Sequence, residues 1–288
     1  MRILLTGAGG QLAADLNAVF SEAGHTLAAY RRDDLDIADP DAVKAVVEET
    51  GPDLILNPAA YNRVDDAERE PGLAFVVNAL GPRNLAREAE TRGAVLVHYS
   101  TDYVVDGLPG VPVAESDLPR PLSAYAASKL AGEHLVAAYC TRHYVLRVCG
   151  LFGQGGRSSR HGNFVETMLR LANGGRQIRV VADQVVAPTS SLDVARATLQ
   201  MVERGVPWGL YNCTAQGETS WYDYARAIFE LAGVPAQLSA TTAAEYGAAA
   251  RRPSYSVLDN AKLVAAGITR PRHWRAALGE YLTVRGGQ

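Results

Sequence analysis

The sequence predicts an α/β protein, a doubly wound parallel sheet with a smaller lobe toward its C-terminal end. Three observations predict it. Short apolar runs closed by turn residues alternate with stretches of helical period through roughly the first 150 residues. A glycine turn stands at the first strand-to-helix junction. Beyond about residue 150 the alternation loses its regularity, and the 288-residue length leaves room for an accessory lobe.

The elements follow in order. "RILLTG" is a short strand closed by glycine, and "QLAADLNAVFSEAG" has helical period and stops on Gly24. "HTLAAY" is a second strand. Asp39 and Pro40 open "DPDAVKAVVEETG", a helix with a capping carboxylate, a proline in its first turn and a terminal glycine. "PDLILNPAA" is a third strand running into a loop. The long helical stretch "PGLAFVVNALGPRNLAREAETRG" leads to the strand "AVLVHYS". After the Pro-rich "DGLPGVPVAESDLPRPLS" come the helix "AYAASKLAGEHLVAAYC" and the strand "HYVLRVCG". Such alternation requires parallel pairing through right-handed crossovers, with helices on both faces. Further on, "GQGGRSSRHGN" reads as a mobile loop, "FVETMLRLANGG" as a helix and "QIRVVADQ" as a strand. "SLDVARATLQMVERG" and "SWYDYARAIFELAG" read as helices flanking the strand "GLYNCTA".

Composition narrows the function. A formal net charge of −3 and a pI near 6.1 give the chain no general affinity for nucleic acid. No apolar run approaches the ~20 residues a membrane helix needs, and the apolar part of "MRILLTGAGG" is too short for a secretory signal. Cys140, Cys149 and Cys213 are odd in number and lack metal-type spacing, which fits free thiols in a reducing cytoplasm. His98 lies inside a strand and reads as a core histidine. His134 and His143 lack clustered partners, so no metal site is expected.

Gly7, Gly10 and Ala13 space small residues across the first strand-to-helix turn. A dinucleotide pyrophosphate needs backbone close by and a helix N-terminus aimed at it, so at this position the turn predicts a Rossmann-like fold that binds NAD(P), against the competing reading of a tight turn with no ligand. An acidic residue after the second strand would hold the ribose hydroxyls of NAD, whereas arginine favours the 2′-phosphate of NADP. "AAYRRDDLDIADP" offers both: Arg31 and Arg32 for the phosphate, Asp36 and Ile37 for the adenine edge. The choice between NADPH and NADH stays open, with a lean to NADPH. For Arg32, Asp33 and Asp34 a solvated charged loop is the competing reading.

Tyr125 and Lys129 in "YAASK" are four residues apart on one helix face. A free tyrosine ionises near ~10, and a neighbouring ammonium favours the phenolate. Alone the pair is a common surface motif. It gains meaning from "HYSTDYVVDG", where Ser100, Thr101 and Asp102 leave a strand at the sheet end where ligands of open α/β folds bind. Thr101 would hydrogen-bond a substrate oxygen while Tyr125 transfers a proton to it.

Together these motifs resemble the extended short-chain dehydrogenase/reductase superfamily and, within it, the dTDP-4-dehydrorhamnose reductase family. Matching segments run almost end to end, from "ILLTGAGGQLA" through "VHYSTDYVVDG", "SAYAASKLAGE" and "DQVVAPTS" to "RRPSYSVLDNAKL". The resemblance implies NAD(P)H-driven reduction of the 4-keto group of a nucleotide-diphospho-6-deoxy sugar, with Thr101, Tyr125 and Lys129 in catalysis. It implies cofactor contacts at Gly7, Gly10, Gln11, Leu12, Arg31, Asp36, Ile37, Ala59, Ala60, Tyr61, Asn78, Ser100, Tyr125 and Lys129. Substrate contacts are implied at Thr101, Asp102, Tyr103, Asn163, Phe164 and Arg252. The expected division is a dinucleotide-binding domain over 1–150, rejoined by parts of 180–215, with 151–288 mainly a substrate-binding lobe. The nucleotide sugar is the expected partner, and a homodimer is compatible with the reading.

Two departures mark this chain. The family pattern R-T-S-W-V-Y-G reads "RVCGLFG" from Arg147 to Gly153, so Gly150 replaces the tryptophan expected against the sugar, and Val148 and Cys149 replace a hydroxyl pair. Val105 replaces a phenylalanine in "STDYVVDG". Losing an aromatic wall costs ~1–3 kcal/mol of binding if nothing refills the space. The "GQGGRSSRH" loop is one candidate to fill it or to bind phosphate through Arg157 and Arg160. Trp221 and Tyr222 are expected to pack in the core, with pocket lining as the competing reading, and Asp65, Asp66 and Glu68 to form an acidic helix start. Two other functions fit parts of the pattern. A sugar-nucleotide epimerase or dehydratase would retain NAD, but the acidic pair typical of dehydratases after the threonine is replaced by Asp102 and Tyr103. An NADP-binding regulatory subunit of methionine adenosyltransferase would need no catalytic trio.

Overall fold

The computed structural model describes residues 1–108, 110–157 and 162–286. Among them a central sheet has six strands, all parallel: β1 (Arg2–Leu5), β2 (Thr26–Ala29), β3 (Leu54–Asn57), β4 (Val95–Thr101), β5 (His143–Val148) and β8 (Gly209–Asn212). Their order is β2-β1-β3-β4-β5-β8. The chain moves one way from β1 to β2 and the other way to β3, so the β1/β3 junction is the switch point where such sheets open a ligand crevice.

Side-chain alternation along the strands sets the two faces. Ile3, Leu5, Leu54, Leu56, Val97, Tyr99, Tyr144 and Leu146 point to one side, where α1 (Gln11–Glu22) and α7 (Ser191–Arg204) cover them with Leu16, Phe20, Val194 and Met201. Leu4, Ile55, Leu96 and Val145 point to the other. There they meet α2 (Pro40–Thr50), α4 (Gly81–Arg92) and α5 (Ala124–Tyr139). Asp39 caps α2 as expected, accepting from the backbone of Asp41 and Ala42. The stretch expected as one long helix is α3 (Pro71–Phe75), a π-helical turn over Val76–Leu80, and α4. That wider turn carries Asn78, which is fully buried.

A second apolar cluster joins α6 (Phe164–Asn173), β6 (Ile178–Val181), α8 (Trp221–Ala232) and α11 (Trp274–Gly286) through Phe152, Val165, Ile178, Tyr224, Ile228 and Leu278. β6 pairs in parallel with β10 (Leu238–Thr241), and β7 (Val185–Val186) pairs antiparallel with β9 (Thr219–Ser220). Two short helices, α9 (Ala243–Tyr246) and α10 (Ala261–Ala265), flank a segment that returns to the sheet and bridges Leu258 to Val113. Residues 158–161 of the expected mobile loop lie outside the described residues. No described helix is long and apolar enough to cross a membrane.

The helix face of the sheet holds one ion pair out of water. Arg147 on β5 donates to Glu133 on α5 through Nε (3.0 Å) and Nη2 (2.7 Å), and Ser100 on β4 donates to the same carboxylate. Their side chains are 2% and 7% exposed. Replacing one member strands the other charge, so Arg147→Met should lower unfolding free energy by about 3–5 kcal/mol in urea titration. Adding Glu133→Leu to that variant should recover most of the loss.

Candidate active site

The first strand runs into the crevice with its polar groups satisfied. Buried Thr6 donates to Asn57 at 2.7 Å across β1 and β3. Gly7 then turns with φ +61°, and a Cβ there would lie 3.0 Å from the backbone of Ala59. Both the dihedral and the close approach call for glycine. The Gly10 amide closes the turn on the Gly7 carbonyl at 2.8 Å, and α1 begins at Gln11. Gly10 has no side chain to cap the helix, so its first N–H groups face the crevice. Gly9 and Gly10 are exposed, and a Cβ on Gly9 would meet nothing within 4 Å among the described residues. This cradle has the room and the dipole for a dinucleotide pyrophosphate.

The other expected cofactor residues divide between exposed and buried positions. Ala8 donates to the Tyr30 carbonyl at 2.9 Å, which places exposed Arg31 and Arg32 beside the turn. Asp36 is exposed and folds onto the Ala38 amide, while Ile37 is buried and its carbonyl accepts from Asn84 at 3.0 Å. Leu12 is packed in the core. Ala60 is exposed. Asn78 exchanges two bonds with the Tyr61 backbone, at 2.8 and 2.9 Å, and donates to Ser128 on α5 at 3.0 Å. Gln11 donates to Leu151 and accepts from Asn163, which also caps α6. Asn163, expected at the substrate, is thus committed to holding α6 against the start of α1.

Helix α5 brings the next group together. Ser123 caps it, and small residues at Ser128 and Gly132 let it lie close to the π turn: a Cβ at Gly132 would stand 2.2 Å from the Asn78 carbonyl. Tyr125, Lys129 and Glu133 share one face at four-residue spacing. Lys129 is 2% exposed and its Nζ donates to the Tyr99 carbonyl at 2.5 Å. Burial pulls its pKa down to about 8 although Glu133 opposes the shift. Tyr125 is half-buried and hydrogen-bonded to Thr101, and its ring stands edge-on to Tyr103 at 6.1 Å. Burial lifts its pKa to about 12, against the pull of the Thr101 bond. The expected lowering by the neighbouring ammonium is therefore overturned: burial sets the direction, and Lys129 is turned to the Tyr99 carbonyl. A phenol that keeps its proton has one to donate.

Behind Thr101 lies Asp102, 2% exposed, which accepts from Thr101 at 3.1 Å and from Ser256 at 2.5 Å. Cys149 also bonds to this carboxyl, and burial lifts its pKa to about 6. Arg252 clasps Asp65 with two bonds of 3.1 and 2.7 Å and reaches Tyr103. Asp65, Asp66 and Glu68 open a short 3-10 turn over Asp66–Glu68, as expected, and two of them also reach distant parts of the fold: Asp65 to Arg252, and Glu68 accepting from the Ala124 amide at 2.7 Å. Beside them opens a cleft of about 540 Å³ lined by Tyr103, Phe164, Met168, Trp221, Arg179 and Arg252, among others. Trp221 packs against the second apolar cluster, as expected, and is also one of the cleft walls. The indole packs against Phe164 (4.7 Å) and passes so close to Gly150 that a Cβ there would lie 3.1 Å from it. The ring from α8 fills the space that Gly150 leaves.

The sequence by itself does not single out Ser256, the Asp65–Arg252 pair or the Glu133–Arg147 pair. Ser256 sits in the "RRPSYSVLD" segment, but nothing local marks which of its residues turns inward. His98 is buried with Nδ1 3.1 Å from Asn57, and its Nε2 has no partner among the described residues. No described cluster of His, Cys, Asp and Glu has the makings of a metal site.

The depressed Lys129 pKa has a consequence for stability. Below about pH 8 the folded chain holds a buried ammonium that the unfolded chain hydrates. Between its folded and unfolded pKa values the unfolded state binds more protons, so stability rises with pH there. Lys129→Met should be more stable than the parent at pH 7 by about 1–3 kcal/mol, with the gap closing above pH 10 in thermal melts.

Comparison with known proteins places the chain. The family model described as "RmlD substrate binding domain" matches residues 1–285. A dTDP-4-dehydrorhamnose reductase of Mycolicibacterium smegmatis is 41% identical over 279 residues, 96% of this chain and 84% of that one. The spore coat polysaccharide biosynthesis protein SpsK of Bacillus subtilis is 39% identical over 99% of this chain and 98% of its own length. A crystal structure of dTDP-4-dehydrorhamnose reductase from Bacillus anthracis in complex with NADP superposes with a TM-score of 0.93 at 34% identity, covering 98% of this chain and 99% of that one. The chain belongs to the dTDP-4-dehydrorhamnose reductase family.

Proposed function

We propose that this member of the dTDP-4-dehydrorhamnose reductase family is an NAD(P)H-dependent oxidoreductase. Its reaction is reduction of the 4-keto group of a nucleotide-diphospho-6-deoxy sugar, taking dTDP-4-dehydrorhamnose to dTDP-L-rhamnose. The observation that supports the reading is Thr101 at the carboxyl end of β4 facing Tyr125 on α5, with Lys129 one turn further along that helix and Tyr103, two residues on, lining the 540 Å³ cleft.

Bound NAD(P)H supplies the hydride. The chain's own residues do the rest. Gly7, Gly9 and Gly10 admit the pyrophosphate to the N-terminus of α1. Tyr125 keeps its proton until the carbonyl oxygen gains charge, then gives it up to the developing alkoxide. The ammonium of Lys129, one turn further along α5, stabilises the phenolate left behind. Thr101 hydrogen-bonds the same oxygen. The apolar and aromatic cleft beside Tyr103, with Trp221 and Phe164, receives the nucleotide sugar, and Arg179 and Arg251 at its edge suit the diphosphate. The tilt to NADPH rests on exposed Arg31 and Arg32 beside the turn.

Oxidation of NADH and NADPH against dTDP-, GDP- and UDP-linked 4-keto-6-deoxy sugars tests the reading, with turnover expected on the dTDP sugar. Tyr125→Phe should bind cofactor as the parent does and lose roughly 10²–10⁴-fold in kcat; near-parental hydride transfer in a single turnover would remove Tyr125 from the chemistry. Arg31→Ala with Arg32→Ala should raise KM for NADPH about tenfold and leave that for NADH nearly unchanged, since only the 2′-phosphate loses a partner.

A further inference from the structure

The hydroxyl of Thr101 carries one proton, and the structure offers it two destinations. Asp102 Oδ1 accepts from Thr101 Oγ1 at 3.1 Å, and the Tyr125 phenol on α5 interacts with the same hydroxyl. The Tyr103 amide donates to that oxygen at 3.2 Å. The other Asp102 oxygen accepts from Ser256 at 2.5 Å, and Cys149 bonds to the same carboxyl. Ser256 is fully buried. Asp102 itself is not part of the cleft wall; it stands behind Thr101.

We propose that Asp102 is a positioning residue that sets the direction of the Thr101 hydroxyl. As a carboxylate it claims the Thr101 proton; as a carboxylic acid it donates to Thr101 Oγ1 and turns that proton toward Tyr125 and the substrate oxygen. The proposal rests on the reductase reading for its effect on turnover, though not for the hydrogen-bond geometry. An ionised carboxylate only accepts. With Asp102 ionised, Thr101 must donate inward, and the Tyr125 O–H then donates to Thr101 rather than to a carbonyl. With Asp102 protonated, the order of donors reverses. Tyr125 is free to give its proton to the carbonyl oxygen, and Thr101 donates to the phenolate or the new alkoxide. No covalent bond between heavy atoms changes; two hydroxyl protons reorient, and the acid proton stays on Asp102.

Burial holds the Asp102 pKa at about 6, so both forms exist near neutrality. The titratable groups facing it are Tyr103 beside it, Cys149 after β5 and Tyr125 on α5, and burial raises all three so that they keep their protons there. Arg252, which reaches Tyr103, stays cationic. Lys129, behind Tyr125 and bonded to the Tyr99 carbonyl, titrates at about 8 and gives a separate step.

Two measurements on the full chain test this. In kcat against pH with dTDP-4-dehydrorhamnose, turnover should fall about tenfold per unit above the midpoint of Asp102. Ser256→Ala removes a donor to the carboxylate, far from Lys129, and should move that midpoint up by about half a unit or more. Asp102→Asn, whose amide donates at every pH, should lose this step and keep the one from Lys129. The second measurement needs no substrate: NMR of carboxyl-labelled aspartate, with the resonance assigned by its loss in Asp102→Asn. It should titrate near 6 and move upward in both Ser256→Ala and Thr101→Val. A resonance that titrates below about 4.5, or stays put in Thr101→Val, overturns the proposal. So does a kinetic midpoint unmoved by Ser256→Ala. Absence of any 4-keto sugar turnover would sink the reductase reading instead, and the aspartate titration would still decide the Thr101–Asp102 link. Should Asp102→Asn fail to fold, two readouts remain decisive: the kinetic midpoint in Ser256→Ala, and the presence or absence of a resonance shift in Thr101→Val.

Discussion

The bond from Lys129 Nζ to the Tyr99 carbonyl, 2.5 Å long and shut off from water, is the tie on which the site depends. It joins helix α5 to the end of strand β4 two residues before Thr101. A buried ammonium is costly, so the helix must deliver it to an oxygen with little freedom. Small residues at Ser128 and Gly132 make that approach sterically open, and Asn78 fixes its depth by bonding both Ser128 and the Tyr61 backbone. One turn below, Glu133 ties the same helix face to Ser100 and Arg147. The face that carries Tyr125 is therefore pinned at successive turns, and the phenol meets Thr101 as a result.

The cleft is completed by chain that returns from far along the sequence. The segment around Ala250–Asn260 places Arg252 on Asp65, Ser256 on Asp102 and Asn260 on Thr214. Ser256, Asp102, Asn260 and Thr214 are buried, and the Asp65–Arg252 pair lies partly open at the cleft. Buried polar groups without partners are expensive, so these bonds specify where the segment lies. The segment in turn backs the hydroxyl network beneath Thr101. The returning segment thus does more than wall the cleft; it supplies part of the electrostatic setting of the Thr101 and Asp102 side chains.

The exchange at Gly150 shows how a pocket keeps its shape when one wall residue is absent. The glycine has φ +47° and presents no side chain to the cleft. Trp221, from α8, brings its ring there and packs with Phe164 and Tyr224. Aromatic area against a ligand is what matters energetically, and the backbone that supplies it is interchangeable.

Much of this was legible in the residues themselves. Short apolar runs alternating with helical stretches, capping residues and helix-stopping glycines specified the sheet, its parallel pairing and the helices on both faces, because those signals are local and repeat along the chain. The glycine cradle and the four-residue step from Tyr125 to Lys129 were readable for the same reason: turn geometry and helical rise fix them within a few residues. What the sequence left undecided depends on distance across the fold. That Trp221 lines a cleft, that Ser256 and Cys149 surround Asp102, and that Asp65 holds Arg252 are facts of long-range packing with no local signature. The pKa of Tyr125 belongs to the same class: spacing promised a lowering by Lys129, but burial, which only the packed structure sets, decided the sign.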